Sequence, residues 1–329
     1  MEYMKNILEF SKKVFNKFFL YFRKTLDRVF LILDKFFLKK EPEQVNKIFI
    51  LGAPRTGSTF FSNLLCSSLN IGYFSNLDIL FPLSGYSSNF IKFKRPKNLT
   101  KKNYYGSTNE IFSPDEAYLF WRHFYPRRVH DYNTRPITNK EIQRINSRIS
   151  QVTINKGSKV FVGKNLEMSL RLNSITKANI DAYIVLFRNP NKIFESILKG
   201  RKDIMGSEKI WWSMRPRKYL DLIKENISTQ IELQVYEVYL HIYDYFSNSN
   251  ENFYIIDYEK ICSEPEKIIN SLLVDLESRL KIKIDKLNSN SYSQIASKGN
   301  IKALSYEWDQ SKVLEIYTKI RSLPNARQL

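Results

Sequence analysis

Residues 48–65 read IFILGAPRTGSTFFSNLL, and the reading of the whole chain turns on them. An uncharged apolar run ends at Gly52, a second glycine stands at Gly57, and Ser58 and Thr59 open a segment with apolar residues at helical spacing. A strand that passes through glycines into a helix presents several backbone N–H groups, and the positive end of the helix, to one anion. The glycines have the separation of a nucleoside-triphosphate loop, yet the slot that holds lysine in that motif holds Ser58. Arg55 is the cation inside the loop, and Thr56, Ser58 and Thr59 add hydroxyl donors. The stretch is read as an anion site, with a plain strand-to-helix turn as the other reading of the same residues.

Outward from this loop, short buried runs alternate with helical patterns. KVFVGK (159–164), DAYIVLF (181–187) and NFYIIDY (252–258) read as strands, and NPNKIFESILKG (189–200) and SEPEKIINSLL (263–273) as helices. The order predicts a three-layer α/β fold, a central parallel sheet flanked by helices in the manner of phosphate-loop nucleotidases (P-loop NTPase-like). Ligands of such sheets bind at the carboxyl ends of the strands, where loop 52–57 falls. Residues 227–246 carry an apolar stripe at helical spacing and read as core. Residues 74–158, rich in Tyr, Asn, Ser and Pro, read as an insertion that shapes an acceptor pocket.

The chain has 329 residues and a formal net charge of +19, which points to anionic partners: a phosphorylated ligand, a polyanion or a membrane surface. Two cysteines far apart and three histidines exclude a disulfide framework and a Cys/His zinc cluster. Residues 1–44 form a basic amphipathic helical extension in this reading, and residues 45–329 the catalytic domain. Ile7, Val14, Phe18, Phe22, Val29 and Phe36 recur at four- or seven-residue intervals among lysines and arginines. Such a face suits either an anionic membrane surface, through residues 1–40, or packing on protein. No apolar run reaches spanning length, so the expected location is cytoplasmic, peripheral at the inner membrane face under the first of these two readings.

A second stretch narrows the ligand. In AYIVLFRNPNKIFESILKG (182–200), Arg188 ends a buried strand, a proline follows two residues later, and Ser196 lies one helical stretch beyond. This pair resembles the 3'-phosphate site of sulfotransferases that use 3'-phosphoadenosine 5'-phosphosulfate (PAPS), and GAPRTGST resembles their 5'-phosphosulfate loop. Segments 70–77, 105–124, 160–172 and 254–273 resemble bacterial sulfotransferases of the carbohydrate type as well, so the likeness runs from about residue 45 to 273. It implies a PAPS co-substrate bound by Pro54, Arg55, Thr56, Gly57, Ser58, Thr59, Arg188 and Ser196, with no metal. Such enzymes commonly bring a late loop over the nucleotide, but the arginine-lysine-glycine signature of the cytosolic branch is missing here, and Lys298-Gly299 is left unassigned.

The resemblance implies transfer of a sulfuryl group to a hydroxyl or amine, on a saccharide or glycolipid, with release of 3'-phosphoadenosine 5'-phosphate (PAP). The acceptor must lose a proton to a base. Glu116 is the first candidate, because SPDEAYLFWRHF (113–124) resembles the acceptor-side segment of the family; His123, seven residues on and on the same face of a continuous helix, is the second, and Asp115 the third. Arg55 and Lys164 are the expected catalytic cations, and Trp121, Trp211 and Trp212 are candidate stacking surfaces. The alternatives are a kinase with a divergent loop and a non-enzymatic basic protein that binds membrane or polyanion. No nucleic-acid module is recognisable, and a homo-oligomer is compatible with the sequence.

Overall fold

In a computed structural model of the chain, residues 43–84, 93–96, 110–125, 137–287 and 308–329 are described, together with Thr25, Val29 and Ile32. The amphipathic extension at 1–44 and the Lys298-Gly299 segment lie outside the described residues, apart from those three, which are helical and exposed, and residues 43 and 44. The apolar run before the loop is β1 (Asn46–Leu51), and the other three expected strands form as β2 (Val160–Lys164), β3 (Ala182–Phe187) and β4 (Phe253–Asp257). A fifth, β5 (Ala326–Gln328), is added from the C-terminal segment. All neighbours are parallel, in the order β2-β1-β3-β4-β5.

Side chains along a strand alternate between faces, and the core divides accordingly. Phe49, Leu51, Tyr183, Val185 and Phe187 join one buried cluster, whereas Ile48, Ile50, Ile184 and Leu186 join the other. The second face is covered by α1 (Ser58–Ser68), through Phe61, Leu64 and Leu65. The first face is covered by α2 (Tyr118–Phe124), α3 (Asn139–Asn155), α4 (Pro190–Met205) and α5 (Ile227–Ser247). After β4 the chain forms α6 (Tyr258–Ser263) and α7 (Pro265–Leu280) on the α1 side, and α8 (Ser311–Arg321) returns to the first face. Strands buried on both faces carry no polar alternation, which is why they read as continuous apolar runs.

The insertion reading of 74–158 needs correction. Its second half contains α3, a core helix with Ile145, Ile149 and Val152 buried at helical spacing. A capping box fixes its start: Thr138 accepts from the Glu141 N–H while Glu141 accepts from the Thr138 N–H. From α3, Arg148 reaches back to Asp78, and Lys156 just beyond the helix pairs with the same carboxylate at 2.8 Å. These cations hold the buried Asp78 carboxyl below its ordinary range against the opposing effect of burial. Segment 74–84 is thereby tied to the sheet face instead of standing off it.

Strand order also fixes where a ligand fits. From β1 the chain moves to one side for β2 and crosses to the other for β3, so the crevice between the carboxyl ends of β1 and β3 is the switch point of the sheet. Loop 52–57 leaves β1 there, and Arg188 follows β3 there. Among the described residues no helix is long and apolar enough to cross a membrane.

Candidate active site

Gly52 and Gly57 set the path of the loop. Gly52 has φ 146°, and its N–H donates to Ser169 Oγ at 3.0 Å while that hydroxyl donates back to the Gly52 carbonyl at 3.2 Å. Gly57, the residue before α1, has φ 86°, and a Cβ there would stand 2.1 Å from the Tyr258 ring. Space and backbone angle together demand glycine at 57. Between the two, Arg55 takes φ 70°, unusual for a residue with a side chain. It is held from two directions: its carbonyl accepts from Arg188 Nη1 at 2.8 Å, and its Nε donates to Ser196 Oγ at 2.8 Å.

The loop, α1 and the ends of β3 and β4 enclose a cavity of about 390 Å³. Its lining includes Pro54, Arg55, Gly57, Ser58 and Thr59 of the loop and α1, Arg188 and Tyr258 beyond β3 and β4, and Glu116, Leu166, Trp212 and Ser213. No side chain caps α1, so the amides of its first turn face this space. The β3–β4 register sets Phe187 beside Asp257, so the next residues, Arg188 and Tyr258, meet as well; the guanidinium lies 4.5 Å above the phenol ring. Burial, then the neighbouring Cys262, push the Tyr258 phenol up to about 12, so it stays protonated at neutral pH. Arg188 Nε is buried without a partner among the described residues. A buried guanidinium N–H at a cavity lined by helix-start amides suits an anionic oxygen.

Lys164 at the end of β2, which does not itself line the cavity, pairs with the cavity-lining Glu116 at 2.5 Å. The lysine side chain is 6% exposed and the carboxylate 43%, so the open side of the pair is the acid. Asn165 holds the Glu116 carbonyl at 3.0 Å. A second cavity of about 280 Å³ adjoins the first and shares Glu116, Leu166 and Ser213 with it, adding Tyr118, Glu167 and Met214. The Glu116 carboxylate thus faces a boundary between two spaces, where it can accept a proton from a hydroxyl held in the second.

Not every expected residue reaches the cavity. His123 is exposed on the outer side of α2, its Nδ1 2.7 Å from the Leu119 carbonyl. The continuous helix that was to align it with Glu116 is absent: Ala117 takes φ 51°, and α2 starts only at Tyr118. Asp115 turns to the Ala117 N–H at 2.6 Å, and burial raises its pKa. The Thr56 hydroxyl donates inward to the Ala53 carbonyl at 2.9 Å and shapes the loop from beneath. Ser196 meets the cavity indirectly, through Arg55. Trp121 is core and Trp211 is buried, whereas Trp212 lines the cavity with the Arg55 guanidinium 5.6 Å from its ring. Sequence reasoning missed Tyr258 and Ser213. Tyr258 was read as the last residue of the strand 252–258, whereas β4 ends at Asp257 and leaves it just beyond; nothing local marks Ser213.

The C-terminal segment braces this wall. Tyr317 of α8 stacks on Phe187 at 4.1 Å and donates to the Arg188 carbonyl at 3.1 Å, and Arg321 pairs with Asp257. Trp308 Nε1 donates to Asn191 Oδ1 at 2.8 Å while its ring stacks on Phe194. Among the described residues no group of His, Cys, Asp and Glu converges as a metal site.

Comparison with known proteins agrees with this architecture. The crystal structure of sulfotransferase STF1 from Mycobacterium tuberculosis H37Rv superposes with a TM-score of 0.51 at 13% identity, covering 84% of this chain and 77% of that one. The sulfotransferase domain of the Synechococcus PCC 7002 olefin synthase aligns over 87% of this chain and 98% of its own at 12% identity, with a TM-score of 0.41. The first likeness speaks for the fold, and no curated protein matches the sequence. Residues 47–280 match the profile of the sulfotransferase family, which spans β1 to the end of α7. The chain belongs to the sulfotransferase family, and it is an enzyme of that kind.

Proposed function

We propose that the sulfuryl donor is PAPS and that the acceptor is a hydroxyl of a saccharide or glycolipid. The observation that carries this is the convergence of three elements on one cavity: the glycine loop with the start of α1, Arg188, and Glu116, itself paired with Lys164. In this reading the amides of 57–60 with Ser58 and Thr59 hold the 5'-phosphosulfate, and the Arg188 guanidinium, at the cavity lining, holds the 3'-phosphate. A phosphosulfate carries less charge than a triphosphate, so loop amides, Arg55 and Lys164 suffice where a nucleotidase loop uses lysine.

The reaction balances simply. The acceptor oxygen forms a bond to sulfur on the side opposite the bridging oxygen; the bond from sulfur to that oxygen breaks, and its electrons stay with the departing phosphate of PAP. Glu116 takes the acceptor proton, and Lys164 keeps the carboxylate turned to the boundary of the two cavities. The second cavity sets carboxylates beside the apolar Leu166 and Met214, which suits the mixed polar and apolar faces of a sugar.

Calorimetry with PAP tests the donor site. The wild type should bind it in the presence of ATP-magnesium, and Arg188→Ala should weaken binding by roughly 2 to 3 kcal/mol through loss of charge-assisted hydrogen bonds. Equal affinity in the variant, or displacement by ATP, would remove PAPS from the assignment. Transfer of labelled sulfate from PAPS to a saccharide or glycolipid fraction tests the acceptor class, and label found only in other fractions would rule that class out.

A further inference from the structure

Three consecutive residues cross from one cavity to the next. Trp212 lines the larger space, Ser213 lines both, and Met214 lines the smaller. Ser213 takes φ 73°, in the left-handed region that side chains avoid. Such a residue persists only where its surroundings over-determine it, and here they do. The carboxamide of Gln234, fully buried in α5, donates to the Trp212 carbonyl at 3.0 Å and to the Met214 carbonyl at 2.8 Å. Trp211 Nε1 donates to the same Met214 carbonyl at 3.1 Å. The Trp212 ring is seated on Gly200, where a Cβ would stand 2.1 Å from it.

Glycine would adopt this backbone without strain. The chain instead keeps a serine, and clamps the carbonyls on either side of it from a buried amide. The expense is explained if the hydroxyl is needed where the two cavities meet. A sulfuryl group in transfer passes that boundary with its charge on three oxygens that do not change partners, and a fixed donor there acts without reorganising.

Resting on the PAPS reading above, we propose that Ser213 belongs to the transfer site, its hydroxyl donating to a non-bridging oxygen of the sulfuryl group, and that Gln234 is the positioning residue that aims it. The two donor-site ligands separate this role from a structural one, because PAP lacks the sulfuryl group and PAPS carries it. Calorimetry on Ser213→Ala should find PAP affinity within about twofold of wild type and PAPS affinity weakened about tenfold or more, as for loss of one hydrogen bond to a charged acceptor. Ser213→Gly, which relieves the backbone, should show the same selective loss, and Gln234→Leu should follow in direction. Wild-type affinity for PAPS in Ser213→Ala overturns the proposal, and so does an equal loss for both ligands. A wild-type protein that binds neither ligand removes the donor reading itself, before any variant is compared.

Discussion

Glu116 and Gly57 show two ways a single residue can matter at this site. Glu116 contributes a carboxylate at the boundary of the two cavities, paired with Lys164 but open to solvent on its far side. Glu116→Gln keeps the shape and removes the proposed base, so PAP binding should be unchanged while turnover falls about a hundredfold or more; assay of both quantities on the same preparation checks it. Gly57 contributes the lack of a side chain. Gly57→Ala sets a Cβ into the Tyr258 ring and a residue with a side chain at φ 86°, at a cost of order 1 to 3 kcal/mol. That ring carries Arg188 on its face, so the expected result is loss of PAP affinity together with a lower melting temperature. The glycine loop and Arg188 were legible in the sequence as the ends of β1 and β3, whereas Glu116 was one of three candidates for the base. His123 was misread because alignment with Glu116 assumed an unbroken helix, and the left-handed Ala117 that breaks it has no local signal.

At the scale of elements, the four strands and the helices that follow them were readable from apolar runs, since burial on both faces leaves a strong pattern. Helix α3 had a readable signal, the Thr138–Glu141 box before Ile145, Ile149 and Val152, which the polar composition of the surrounding segment obscured. The role of α8 could not be read, because a bracing helix is defined by what it touches. Tyr317→Phe tests that role: it keeps the stack on Phe187 and removes the bond to the Arg188 carbonyl. A net loss of about 1 kcal/mol is expected for one such bond, seen as PAP affinity weakened about fivefold, and unchanged affinity would show that α8 supports the sheet without setting the arginine.

At the scale of the whole molecule, stability should depend on mild acid. His241 in α5 is pressed down to about 4, first by burial and then by Arg217, and its Nε2 is buried without a partner among the described residues. The folded state therefore binds this proton less readily than the unfolded chain, whose histidine titrates near 6.5. Between those values unfolding takes up a proton, so the stabilising contribution is complete above pH 6.5 and is lost as the pH falls toward 4. Melting temperatures recorded across that window should decline in the wild type, and His241→Gln should flatten the decline; parallel curves would assign it to other groups.

Apart from the local bond of the Thr56 hydroxyl to the Ala53 carbonyl, the contacts that shape the loop reach far along the chain. Gly52 is held by Ser169 across 117 residues, Arg55 by Arg188 across 133 and by Ser196 across 141, and Arg188 by Tyr317 across 129. A nascent chain that has just emitted GAPRTGST therefore has none of the distant partners that hold this loop. Closure of such long loops is entropically slow, so the site takes shape late in synthesis, after the strands on either side of β1 have emerged, and its last brace arrives with α8. A ribosome-bound fragment ending before residue 308 would carry the glycine loop without the brace on Arg188.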